Sequence, residues 1–181
     1  IFKSNSPSSG MERVKITNQS GMPRKIGRGV FAGIFMKHFP SLPVEEEGRL
    51  HDPALRENFI ERMFVLKRWR EMVDRGRRLN GLVEFHTRHK LLIMAHSPKQ
   101  NTLLGGLVAT AKGASATELF EKYQVLLMDA LKLRATVKKQ VNVLQHLMGY
   151  FKKDLSGDEK QELLEVIDHY REGYIPLIVP V

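Results

Sequence analysis

The sequence predicts a mainly α fold, a helical bundle preceded by a short segment of mixed α/β character. Two observations carry the prediction. From His51 onward helix-start signals recur and the chain between them reads as helical, whereas the first fifty residues alternate short apolar runs with turns rich in Ser, Gly and Pro.

In that first part, "IFK" at 1–3 and "VKI" at 14–16 are short strand candidates, and 4–11 and 17–28 are turn-rich loops. The first loop holds "SPSSG", a Pro boxed in by hydroxyl residues and followed by Gly, a type of turn that can approach a ligand closely. "GVFAGIFMKHF" reads as a short helix ended by Pro40. Asp52 before Pro53, and Ser97 before Pro98, are N-caps with Pro at the first helical position. Ser115 with Glu118, and Ser156 with Glu159, have capping-box spacing. Helices are therefore expected near 53–74, 78–95, 98–111, 116–153 with a break around 133–138, and 157–172, the last ended by Gly173.

With 181 residues, 42% of them hydrophobic and 27% charged, the chain has the composition of a soluble globular protein. No apolar run approaches the roughly 18 residues of a membrane span. There is no cysteine, which excludes a disulfide framework and a thiolate metal site in this chain. The ends lack a signal peptide, and "IFK" at the start and "IPLIVPV" at the finish read as parts of a longer cytoplasmic protein. The net charge of +9 is uneven: 1–50 carry 8 basic and 4 acidic residues, 51–95 carry 10 and 6, 96–155 carry 9 and 4, and 156–181 carry 2 and 6. A basic body with an acidic end suits a polyanionic partner, most simply nucleic acid.

Four constellations could carry chemistry. His86, His89 and His96 invite a metal reading, but at about 100° per residue His89 and His96 fall among Leu82, Phe85, Leu92 and Ile93, as core histidines would. In "VNVLQHLMGYFKK" one face is core, with Val143, Leu144, Leu147, Met148 and Phe151. The other is a polar stripe of Asn142, His146, Gly149, Tyr150 and Lys153, which offers an amide, an imidazole, a phenol to stack on a base and an ammonium for phosphate. The run "KRWREMVDRGRR" sets Trp69 beside Leu66, Met72 and Val73 as an anchor. It leaves Arg75, Arg77 and Arg78 to join Arg88, Lys90, Lys138, Lys139, Lys152 and Lys153 as an electrostatic footprint. Glu45, Glu46 and Glu47 read as an exposed acidic turn unless one of them is buried.

"SPSSG" and "GRGVFAGIFMKHFPSLPVEEEGRLHDPALRENFIERMFVLKRW" resemble the end of a TudS-like desulfidase domain and its junction with the next domain. "FHTRHKLLIMAHSPKQNTLLGGLVA" and "NVLQHLMGYFKKDLSGDEKQELLEVIDHYREGYIPLIVPV" resemble the YbgA-like helical domain often fused to it. The resemblance implies that 1–50 are the C-terminal remnant of a truncated TudS-like domain and 51–181 a YbgA-like all-helical domain truncated at its C-terminus. It implies a bacterial protein of the RudS type, which removes sulfur from 4-thiouridine in tRNA with a [4Fe–4S] cluster on three cysteines. The partners implied are tRNA and an upstream desulfidase domain in the same polypeptide. Ser9 stands where that family has its third cluster cysteine, so no cofactor is expected in this chain itself. Asn101, Thr102, Gly106 and Gln140 also depart from the family's usual residues. The alternative functional reading is a non-catalytic helical module that binds a protein partner, and a third is a metal hydrolase built on the three histidines.

Overall fold

The computed structural model describes residues 1–17, 22–113 and 115–181. Among them the elements run β1 (Val14–Thr17), β2 (Pro23–Gly27), α1 (Val30–His38), a single 3-10 turn (Arg49–His51), α2 (Pro53–Asp74), α3 (Leu79–His96), α4 (Pro98–Ala109), α5 (Ala116–Lys132), α6 (Val137–Tyr150) and α7 (Gly157–Arg171). The fold is mainly helical, as the cap pattern predicts. By contacts the chain divides into two units, Ile1–Gly76 and Arg77–Val181, so α2 belongs with the N-terminal segment.

In the first unit β1 and β2 pair antiparallel, with Lys15 opposite Lys25 and Ile16 opposite Arg24. β2 falls inside the stretch expected to be loop. β1 buries Val14, but in β2 Arg24, Lys25 and Ile26 are all exposed, so β2 leaves no period-two apolar pattern to read. Residues 18–21 of the expected loop lie outside the described residues. Phe2 is buried and makes an isolated parallel bridge with Glu46.

The acidic run is not an exposed turn. Glu45 and Glu46 are both buried, and each carboxylate of the three has a donor. The Glu47 carboxylate accepts the Ser4 N–H at 2.8 and 3.0 Å. Glu46 Oε1 accepts from Met11 N at 2.6 Å and Glu12 N at 3.2 Å. Glu45 Oε1 accepts from Arg49 Nε at 2.7 Å and from Glu46 N at 3.1 Å. Two carboxylates thus grip the loop 4–12 from both ends, and between the grips the loop turns back on α1. Gly29 N donates to Gly10 O, Val30 N to Pro7 O and Ala32 N to Ser8 O.

That close approach is why position 29 is glycine: a Cβ there would overlap the Ser8 carbonyl and lie 2.6 Å from Ser9 N. α2 follows, capped by Asp52, whose Oδ1 accepts from Ala54 N at 2.8 Å and Leu55 N at 3.1 Å. Trp69 is only 1% exposed, which gives it the anchoring role that the helical projection assigns.

The second unit is built around α3, which packs against α4, α5 and α6, while α6 packs against α7. Leu82, Ile93, Leu104, Tyr123, Leu127 and Leu131 are fully buried in it. A smaller cluster of Val141, Leu144, Ile167 and Tyr170 joins α6 to α7. Ser97 accepts from Gln100 N and caps α4, and Ser156 and Glu159 form the reciprocal capping box of α7. Ser115 occupies the N-cap of α5, yet its side chain accepts no cap bond, so the box expected there is absent. Gly173 ends α7 at φ +82°, with Tyr174 N donating to His169 O.

Gly29→Ala should lower the melting temperature by the equivalent of about 1–3 kcal/mol, the usual cost of overpacking against unyielding backbone. Gly33→Ala, in the interior of α1 where a Cβ meets nothing within 4 Å, should be neutral or stabilising by roughly 0.5–1 kcal/mol. Paired thermal melts check this, and equal effects would contradict the close-approach account.

Candidate nucleic-acid interface

Of the polar stripe expected on this segment, Asn142, His146, Gly149 and Tyr150 lie within α6, whereas Lys153 falls beyond the helix end. Lys138, Asn142, His146 and Tyr150 recur every fourth residue, which stacks them on one side of the helix over about 18 Å. Lys138, His146 and Tyr150 are exposed and Asn142 is half-buried. α3 packs beside α6 and brings Lys90 to this side, its ammonium 5.2 Å from the centre of the Tyr150 ring. Just beyond the helix end stand Lys152 and Lys153, both exposed and in no ion pair among the described residues. Gly149 is exposed, and a Cβ on it would meet nothing within 4 Å, so bare backbone is presented there without any packing demand for glycine.

Other residues of the expected footprint lie elsewhere or are committed. Arg88 is two residues from Lys90 and so faces away from it, and its Nη2 pairs with Glu84 at 2.6 Å. Lys139 donates to the carbonyls of His96 at 2.6 Å and Arg134 at 3.0 Å, tying the end of α3 to the α5–α6 turn, so its role is structural. Arg75 is exposed and closes α2 in the first unit, while Arg77 and Arg78 are exposed ahead of α3 in the second. Phe151, placed on the core face by the helical period, is 53% exposed: the helix stops at Tyr150, and the period stops with it.

The three histidines make no metal centre. His86 Nδ1 meets the Tyr123 hydroxyl at 3.0 Å, His89 Nδ1 meets Phe85 O at 2.8 Å, and His96 Nδ1 meets Leu133 O at 2.6 Å. Each ring is thus directed to a different partner, and no group of three metal-binding side chains occurs among the described residues. Burial holds His86 below the ordinary imidazole range, helped by the charges of Lys90 and His89. Burial likewise pushes the Tyr123 phenol up, so it stays protonated. Gln140 accepts a hydrogen bond from the Tyr170 hydroxyl, which ties that position to the α6–α7 packing.

Ser9 is half-buried, its N–H donating to Ser6 Oγ at 3.1 Å. It borders a cavity of about 440 Å³ lined also by Lys3, Phe2, Phe31, Phe35 and Leu42. One hydroxyl and no thiolate is a hard, weak donor set for iron, so the residues present do not fit a [4Fe–4S] cluster.

The second unit is therefore a five-helix domain with a basic face edged by aromatic rings. The chain belongs to the family described as "Protein of unknown function (DUF1722)", which matches residues 90–181. It is 31% identical over 126 residues to the "Uncharacterized protein YbgA" of Escherichia coli (strain K12), a match that covers 69% of this chain and 75% of that protein. The likeness supports the YbgA-like half of the resemblance drawn from the sequence. No solved structure matches the chain. No helix among the described residues is long and apolar enough to cross a membrane.

The depressed His86 has a consequence with a definite sign. Its folded pKa lies below the unfolded value near 6.5, so the unfolded chain binds the proton first. Its contribution to stability is complete above about pH 6.5 and is lost as pH falls through the folded pKa. Melts of wild type and His86→Gln from pH 7.5 downward should show the steeper acid loss in wild type, and parallel curves would contradict this.

Proposed function

We propose that the chain is the C-terminal portion of a tRNA thiouridine desulfidase-like protein, in which the helical unit binds tRNA while an iron–sulfur domain of the same polypeptide removes the sulfur. The observation that carries the RNA-binding part is the α3–α6 face, where Lys90 sits over Tyr150 with exposed Lys152 and Lys153 just past the helix end and exposed Lys138 at its start. Such a face pairs cations for phosphates with a ring, an amide and an imidazole for bases. The resemblance to TudS-like sequence supports the sulfur-removing part, for which Ser9 marks the loop that in relatives carries a cluster thiolate.

The cell compartment that fits this reading is the cytoplasm. A protein-interaction module has its own support in α1, whose Val30, Phe31 and Ile34 are exposed. The two readings diverge on charge, since a protein docked on α1 is indifferent to the lysines of α6.

Bulk tRNA should be shifted in a gel at low ionic strength, and the shift should fade as salt rises. Replacing Lys138, Lys152 and Lys153 together with Ala should weaken binding and reduce the slope of log K against log salt by about one per lost phosphate contact. Absence of a shift at low salt contradicts the proposal, and an unchanged slope removes α6 from it.

A further inference from the structure

The end of α6 carries two aromatic rings that nothing in the packing of the unit requires. Tyr150 is 57% and Phe151 is 53% exposed, and neither stacks on another ring among the described residues. The backbone that holds them is hydrogen-bonded. Phe151 N donates to Met148 O at 3.1 Å, and Phe151 O accepts from Asp154 N at 2.9 Å and Leu155 N at 3.1 Å.

Exposing two consecutive aromatic residues forfeits apolar burial that polar residues would not need. Their neighbours indicate what covers them. Lys90 lies on Tyr150, Lys152 and Lys153 follow directly and outnumber Asp154, and Gly149 leaves the adjoining backbone bare.

From this geometry we infer that the end of α6 is a stacking platform for unpaired nucleobases, so that the RNA is engaged at a single-stranded loop or end and not along a duplex. The inference rests on the RNA-binding reading and narrows it. In an A-form duplex the bases are stacked inside and the major groove is too deep and narrow for a side chain to read, so rings at a helix end cannot reach a base that has not been splayed out. Lys90 takes one side of Tyr150, which leaves room for one base on that ring and sets an ammonium within reach of its phosphate. A second base can lie on Phe151. A lipid surface would take rings and lysines too, but the face running back from Tyr150 continues as His146 and Asn142, hydrogen-bonding groups where a membrane-bound helix would need an apolar belt.

The test is fluorescence anisotropy with the full chain, using a short labelled single-stranded RNA, the same strand annealed into a blunt duplex, and anionic vesicles. The single strand should bind more tightly than the duplex. Tyr150→Ala and Phe151→Ala should each weaken single-strand binding roughly tenfold while sparing the duplex, and Tyr150→Phe should bind as wild type. Both residues are exposed, so an unchanged melting temperature shows that the alanine variants are folded.

Equal binding of strand and duplex, unaltered in the alanine variants but weakened by Lys152→Ala and Lys153→Ala, would overturn the platform and leave the RNA-binding reading standing. Binding to neither RNA would overturn both. Binding to vesicles alone would do the same and assign the rings to a lipid surface.

Discussion

The second unit depends on burying one stripe of α3 that is not wholly apolar. Leu82, Phe85, His89, Ile93 and His96 occupy it, and two imidazoles in a dry interior must find hydrogen bonds or destabilise the fold. His89 reaches the carbonyl one turn back on its own helix, and its ring stacks on Phe85 at 4.1 Å. His96 reaches Leu133 in the turn after α5, and Lys139 closes the same junction from the other side. These bonds fix where α5 ends and where α6 begins. The position of α6 along α3, and with it the meeting of Lys90 with Tyr150, follows from how those core imidazoles are satisfied.

The first unit solves a related problem with carboxylates. Buried Glu46 and exposed Glu47 hold backbone N–H groups at both ends of the loop 4–12, and buried Glu45 binds Arg49 and favours the charge of Arg62. Burial opposes that charge on Arg62, whose Nε has no hydrogen-bond partner among the described residues. The loop they hold, pressed against α1 through Gly29, presents Ser9 to the cavity.

Much of this was legible in the sequence because the signals were local. Asp52-Pro53, Ser97-Pro98, the Ser156 box and Gly173 each mark an end through bonds made within five residues, and the helix boundaries follow them closely. The misses come from interactions that sequence proximity does not reveal. Glu46 is buried because Met11 and Glu12, 35 and 34 residues away, supply its donors, and nothing in "EEE" points to them. Lys139 reads as a free cation until the carbonyl of His96 is folded beneath it. β2 was invisible because Arg24, Lys25 and Ile26 are all exposed and give it no apolar period. On α6 the period joining Asn142, His146, Gly149 and Tyr150 was readable, but the exposure of Phe151 and the place of Lys153 beyond the helix required knowing where the helix stops.

The central claim is that RNA meets this chain on the α3–α6 face of the second unit. Photo-crosslinking of the full chain to tRNA, followed by mass spectrometry of the crosslinked peptides, tests that placement most directly. Crosslinks should concentrate on the peptide carrying Asn142, His146, Tyr150 and Phe151, with Lys90 nearby. Crosslinks confined to Ile1–Gly76, or absent from α6 while tRNA is bound, would contradict the account.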